Sequence, residues 1–165
     1  MNISKEKLPS LTLTYPTTLE DQIPLVLQDQ LRKSLGIKIT LEPLEYKVYL
    51  DRINKGDYQL CLGSWVADFD DPINFLEIFK TKHIKTNNTN WESPAYLKAI
   101  EDSYTCATSE DRLAVLKKSE QILIDEMPII PLYNKSLVHM QRENLKDVLL
   151  TNTGTLDFKW AYISD

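Results

Sequence analysis

The run Tyr58-Gln-Leu-Cys-Leu-Gly-Ser-Trp-Val-Ala-Asp-Phe-Asp-Asp-Pro72 restricts the folds open to this chain more than any other stretch. It opens as an apolar, strand-like segment and ends in a carboxylate cluster closed by proline. Tyr58, Leu60 and Leu62 alternate to one side, and Cys61, Gly63 and Trp65 to the other. With both faces fit for burial, the segment reads as an inner strand of a parallel sheet. Ligands of open sheets of that kind sit beyond the carboxyl ends of the strands. Trp65 and Asp68 fall at and just past that end, and Gly63 leaves room for another backbone to come close.

The elements before this run support the same class. Leu11-Thr-Leu-Thr-Tyr15 alternates and has β-propensity, so it reads as a first strand. Thr18 and Asp21 resemble a capping box, and Leu19, Ile23, Val26, Leu27, Leu31 and Leu35 form a helical stripe that stops at Gly36. Ile37 to Leu41 is a second strand. A helix over Tyr46 to Lys55 points Tyr49, Leu50 and Ile53 inward and ends at Gly56. Strand–helix–strand–helix–strand at this spacing predicts right-handed crossovers and an α/β fold.

Beyond Pro72, a short helix is expected over Ile73 to Phe79, then an exposed polar loop from Lys80 to Glu92. Ser93-Pro94 starts a helix with Leu97, Ile100 and Tyr104 inward. A further helix opens at Thr108 to Asp111, buries Leu113, Leu116, Leu123 and Met127, and stops at Pro128. Ile129 to Tyr133, Leu137 to Met140 and Phe158 to Tyr162 read as strands, the first at an edge or a bulge because of Pro131.

Composition removes several functions. The formal net charge of −5 disfavours nucleic-acid binding, which needs a basic face. No apolar run reaches the roughly 20 residues of a membrane span. Met1 to Lys7 has no apolar core of the signal-peptide kind, so the chain as read carries no export signal. His83 and His139 have no Cys, His or carboxylate at metal-ligand spacing. Phosphate loops and nucleophile elbows are absent, the 4 glycines being scattered, and no cofactor is expected. Cys61 and Cys106 are expected as small core residues, with their pairing left open.

Asp68-Phe-Asp-Asp71 admits two chemistries. A strand followed by Asp-x-Asp is how some phosphotransferases place a nucleophile and a proton donor over Mg²⁺, which makes an Asp68/Asp70 phosphatase-like enzyme the alternative reading. Pro72 stands where such enzymes carry a small β-branched residue. The other chemistry is binding.

Trp65-Val-Ala-Asp-Phe-Asp-Asp-Pro-Ile-Asn-Phe-Leu76 resembles the Trp-x-Ala-Asp-Tyr-x-x-Pro-x-x-Phe-Leu segment of the oligopeptide- and dipeptide-binding proteins of ABC importers (extracellular solute-binding protein family 5). Further pieces are similar to that family in the same order. These are Leu11 to Tyr15, Leu35-Gly-Ile-Lys-Ile39, Gly56-Asp-Tyr-Gln-Leu60, Ser93-Pro-Ala-Tyr96, Met127-Pro-Ile-Ile-Pro-Leu-Tyr133 and Asp157-Phe-Lys-Trp160. The resemblance covers nearly the whole chain but only the C-terminal part of the longer family members.

It implies an α/β fold forming one lobe of a periplasmic-binding-protein type II fold, with a central mixed sheet flanked by helices. Residues 1–10 would be a leader, 11–143 the ligand-binding lobe, and 144–165 a tail that in the family returns to the other lobe. That tail leaves an oligomer open. The resemblance also implies a non-enzymatic, periplasmic or surface-anchored receptor whose partners are an oligopeptide and an importer permease. Ser64, Trp65 and Val66, next to Gly63, would lend backbone groups to an extended peptide. Asp68 would receive its α-ammonium group, and Trp65 would wall the first side-chain pocket. Some relatives hold the peptide's carboxyl end with arginines where this chain has Leu62 and Ile53, so a fixed ligand length is not implied.

Overall fold

The computed structural model describes residues 10–19, 22–136 and 138–164. They divide into two compact units: one runs to Ser64 and includes Asn88–Asn90, and the other holds Trp65–Asn87 and the chain from Trp91 onward. The leader up to residue 9, Asp21 of the expected capping box, and Leu137 lie outside the described residues.

In the first unit, β1 (Leu11–Pro16), α1 (Gln22–Leu35), β2 (Ile39–Leu44), α2 (Tyr46–Asn54) and β3 (Leu60–Cys61) follow in order. The strands are all parallel and lie side by side as β2-β1-β3. Burial on both faces therefore belongs to β1, not to the Tyr58–Trp65 run expected as an inner strand. Leu13 and Tyr15 join Ile39 and Leu62 in an apolar cluster, against which Leu19, Ile23, Leu27 and Leu31 pack. On the other face Thr14, 1% exposed, donates its hydroxyl to Glu42 Oε2 at 2.8 Å, and Arg52 of α2 reaches the same carboxylate at 3.4 Å. Val26 and Leu35 of the expected stripe are exposed. The i, i+4 row from Leu19 to Leu31 is the face turned to the cluster, and Val26 and Leu35 fall off it.

β3 pairs with β1 only through Leu13↔Leu60 and Thr14↔Cys61, followed by Leu62 N–H donating to Thr14 O at 3.0 Å. The chain then leaves the sheet. Two contacts at α2 set that exit. Gly56, at φ +69°, closes α2 in a Schellman turn, with Asp57 N–H on Arg52 O and Gly56 N–H on Ile53 O. Tyr49, buried in α2, donates its hydroxyl to Leu62 O at 2.9 Å, and burial pushes its phenol up to about 12. β1 connects toward β2 while β3 lies on its opposite side. The carboxyl ends of β1 and β3 thus flank a topological switch point.

The second unit contains α3 (Ile73–Leu76), a 3₁₀ turn over Glu77–Phe79, α4 (Pro94–Ser103) and α5 (Ser109–Glu126). Ile73, Leu76, Tyr96, Ile100, Leu116 and Leu123 form its core, flanked by Phe79, Trp91, Ile122 and Ile129. The buried face of α4 is Tyr96, Ala99, Ile100 and Ser103, so Tyr104 is exposed, as are Leu113 and Met127. Tyr96 takes the inward place because its hydroxyl finds Leu76 O at 2.7 Å, which satisfies the polar end inside the core. Ser93 precedes Pro94 as expected but makes no cap bond; its hydroxyl donates to Glu126 Oε1 at 3.1 Å. Thr108 does cap α5, accepting Asp111 N–H at 3.1 Å. The loop from Lys80 to Glu92 is irregular but not wholly exposed. Asn87 is buried and its amide bridges Thr81 O and Trp91 O, both at 3.0 Å.

Ile129 to Tyr133 forms no strand, nor does Val138 to Met140. Pro128 and Pro131 remove two N–H donors there, and no pairing partner lies alongside among the described residues. The tail makes two short antiparallel pairs instead: β4 (Leu145–Lys146) with β7 (Tyr162–Ile163), and β5 (Leu149–Leu150) with β6 (Leu156–Asp157). The expected strand over Phe158 to Tyr162 is mostly a turn, closed by Ala161 N–H on Phe158 O. Asp147 at φ 55° interrupts the first strand of the hairpin, and Gly154 at φ 82° sits in its tip.

Candidate functional site

Gly63 and Ser64 end the first unit, and Trp65, Val66 and Asp68 begin the second. All five are exposed. Among the described residues, no internal backbone hydrogen bond reaches Gly63, Ser64, Trp65 or Val66. A side chain at Gly63 would meet only the Tyr49 hydroxyl, at 3.8 Å, an ordinary contact. Nothing among the described residues therefore requires glycine here. Leu62 and Ile53 are buried apolar residues of the first unit.

Within the second unit, Trp65 is held at one edge and open at the rest. Its indole N–H donates to Asn74 Oδ1 at 2.7 Å while 39% of the residue stays exposed. The same Asn74 oxygen accepts Asp68 N–H at 3.3 Å. Asn74 is buried, and it is the lone polar residue in the four-residue α3.

Two of the three carboxylates of the cluster have partners, and these differ. Asp71 is pinned by Arg112 in a two-pronged pair, Nη1 on Oδ2 at 2.8 Å and Nη2 on Oδ1 at 2.9 Å, and also accepts Ile73 N–H at 2.9 Å. Asp70 Oδ2 accepts Asn152 Nδ2 from the tail hairpin at 2.6 Å. The Asp68 carboxylate has no hydrogen-bond or ion-pair partner among the described residues. An Asp68/Asp70 enzyme finds no support in this arrangement. Asp70 is turned to the hairpin, and no group of three His, Cys, Asp or Glu side chains gathers as metal ligands among the described residues.

The Arg112 guanidinium is the main reason the Asp71 carboxyl is held below its usual range; the Ile73 N–H adds to this and burial opposes it. A carboxyl whose folded value is lowered contributes stability above its unfolded value and loses it as pH falls through the folded one. Asp71→Asn is therefore expected to lower stability by about 1 kcal/mol at pH 7. The difference from the unaltered chain should shrink as pH falls below the ordinary aspartate range and through the lowered folded value. Urea denaturation across that range checks it; a gap that persists in acid would assign the effect to packing.

A separate cleft of about 320 Å³ in the first unit is lined by Thr12, Thr14, Glu42, Arg52 and Gln59, among others. Its polar groups serve one another: Glu42 takes Thr14 and Arg52, and Gln59 Oε1 takes Thr12 N–H at 2.8 Å.

Gly63, Ser64, Trp65, Val66 and Asp68 are legible together in the sequence because they are neighbours in the chain. Asn74, Arg112 and Asn152 are not. A single amide within Ile73-Asn-Phe-Leu76 was the available signal for Asn74. Arg112 and Asn152 carried none, since their pairing with Asp71 and Asp70 depends on tertiary structure.

The fold is that of one lobe of a periplasmic binding protein. It superposes with a TM-score of 0.82 on the pheromone receptor PrgZ, a structure described with its mode of peptide binding, at 30% identity over 99% of this chain and 32% of that one. Residues 2–87 match the family description "Bacterial extracellular solute-binding proteins, family 5 Middle", and the chain belongs to that family. Among its relatives are the oligopeptide-binding protein OppA of Bacillus subtilis (strain 168), 40% identical over 98% of this chain and 30% of that protein. The dipeptide-binding protein DppE of the same strain is 36% identical over 94% of this chain and 28% of its own length. The chain thus spans less than a third of the length of these two relatives.

Proposed function

We propose that this chain is the part of a peptide receptor for an ABC importer that grips the amino end of an extended peptide. The receptor works outside the cytoplasm, as a binding protein and not an enzyme. The observation that carries the reading is the exposed backbone of Trp65 and Val66, unpaired among the described residues, continuing into Asp68, whose carboxylate is likewise unmatched among them. Exposed backbone with unpaired N–H and C=O groups, as at the edge of a sheet, can take an extended peptide as an added strand. Pairing of that kind reads the main chain and tolerates many side-chain sequences.

Asp68 supplies what pairing lacks, a fixed starting point. Only the first residue of a peptide carries an α-ammonium group, and a charge-assisted contact to it is worth roughly 1.5–3 kcal/mol once water is excluded. Ser64, preceding Trp65 in the chain, extends the pairing surface, and the open face of Trp65 walls the first side-chain pocket. The names of OppA and DppE from Bacillus subtilis, and the peptide-binding description of PrgZ, support peptides as the ligand class. Leu62 and Ile53 offer no cation for a carboxyl terminus, so ligand length is left open.

The test is calorimetric titration with short extended peptides of a receptor of the relatives' full length and, in parallel, of residues 1–165 alone. Saturable binding is expected from the first. The second should bind at least tenfold more weakly, because contacts made by the remaining two thirds are missing. No binding by the full-length receptor, or equal affinity in the two, would overturn the proposal.

A further inference from the structure

We infer that Asn74 is the positioning residue that sets the register of peptide capture, an inference that rests on the receptor reading above. One oxygen, Asn74 Oδ1, accepts both the Trp65 indole N–H at 2.7 Å and the Asp68 backbone N–H at 3.3 Å. The first bond fixes the swing of the ring that walls the first pocket. The second fixes the backbone from which the ammonium-binding carboxylate projects. Because the two share an acceptor, the spacing between ring and carboxylate is set by one side chain.

That side chain is itself immobilised. Asn74 is 7% exposed and lies between Ile73 and the core residue Leu76, 5% and 7% exposed, both of which are anchored in the apolar cluster of the second unit. On the other flank Asp71 is clamped by Arg112 and accepts Ile73 N–H, so the turn leading into α3 cannot drift. A buried, rigid acceptor that serves two donors fits preorganisation of a binding loop, because ordering it before the ligand arrives lowers the cost of binding. Asn74 touches no ligand in this scheme; it acts through Trp65 and Asp68.

Two variants separate this role from plain packing. Asn74→Leu keeps the branched shape and removes the acceptor; Asn74→Asp keeps an acceptor oxygen at the same reach. The chain has 3 tryptophans, so its ¹⁵N–¹H spectrum carries three indole signals, from Trp65, Trp91 and Trp160. In Asn74→Leu the Trp65 signal should move upfield and exchange faster with solvent while the other two stay in place, and Asn74→Asp should restore it. In a receptor of the relatives' full length, Asn74→Leu should weaken binding of a free-amine peptide at least fivefold while leaving its N-acetylated form nearly unchanged. Asn74→Asp should recover the preference.

An unmoved Trp65 signal in Asn74→Leu would overturn the brace. Equal weakening of both peptides would reduce Asn74 to a packing residue and overturn the register claim. Failure of the unaltered receptor to bind any peptide would overturn the receptor reading and the register claim together. The indole signals would still decide separately whether Asn74 holds the loop.

Discussion

Truncating Ile100 to alanine is expected to destabilise the second unit by about 3–4 kcal/mol. Ile100 is fully buried and belongs to the cluster that joins α3, α4 and α5. Removing three carbons there forfeits their transfer energy and leaves a cavity that close-packed neighbours fill only in part. With a urea dependence of about 1.5 kcal/mol per molar, the unfolding midpoint should fall by roughly 2 M. Leu113, on α5 but nearly half exposed, is the control, and its alanine variant should shift stability by no more than about 0.5 kcal/mol. A cost below about 1 kcal/mol at Ile100 would mean that the three helices do not share one core. The result bears on the site as well as on stability, because Ile73 and Leu76 of this cluster are the supports of Asn74, and Tyr96 ties its hydroxyl to Leu76 O.

The second large effect is expected at Asp68. Its alanine variant, in a receptor of the relatives' full length, should bind an extended peptide at least tenfold more weakly, which is a loss of about 1.4 kcal/mol or more. The upper end is about 3 kcal/mol, the range for hydrogen bonds to charged groups. Asp70→Ala serves as the control by charge. It removes a carboxylate two residues away whose partner is Asn152, so its effect on peptide affinity should stay within about twofold, or about 0.4 kcal/mol. Equal losses at both positions would indicate a general acidic field in place of a specific contact.

Much of this was legible in the chain itself, and the misses share a cause. Alternation in Leu11 to Tyr15 and the i, i+4 row from Leu19 to Leu31 are local patterns, and the elements they predict are present. The resemblance of Trp65 to Leu76 named the family, which the match over residues 2–87 bears out. The inner strand was misplaced because burial on two faces depends on strand order, which alternation does not encode. β1 took the centre, and β3 kept only Leu60 and Cys61. Tyr96 displaced Tyr104 on α4 because a phenol needs an internal acceptor, and Leu76 O is available only after folding. Ile129 to Tyr133 has strand composition, but prolines at 128 and 131 and the lack of a neighbouring partner kept it irregular. At the site, chain neighbours were found, whereas the three residues that fix them in place were reachable only through tertiary contacts.

The most direct test of the whole account needs no mutation. A receptor of the relatives' full length is titrated by calorimetry with one extended peptide and with the same peptide acetylated at its amino end. Capture of the α-ammonium group by Asp68 requires the acetylated peptide to bind at least tenfold more weakly, a gap of about 1.4 kcal/mol. Equal affinity for the two peptides would contradict it.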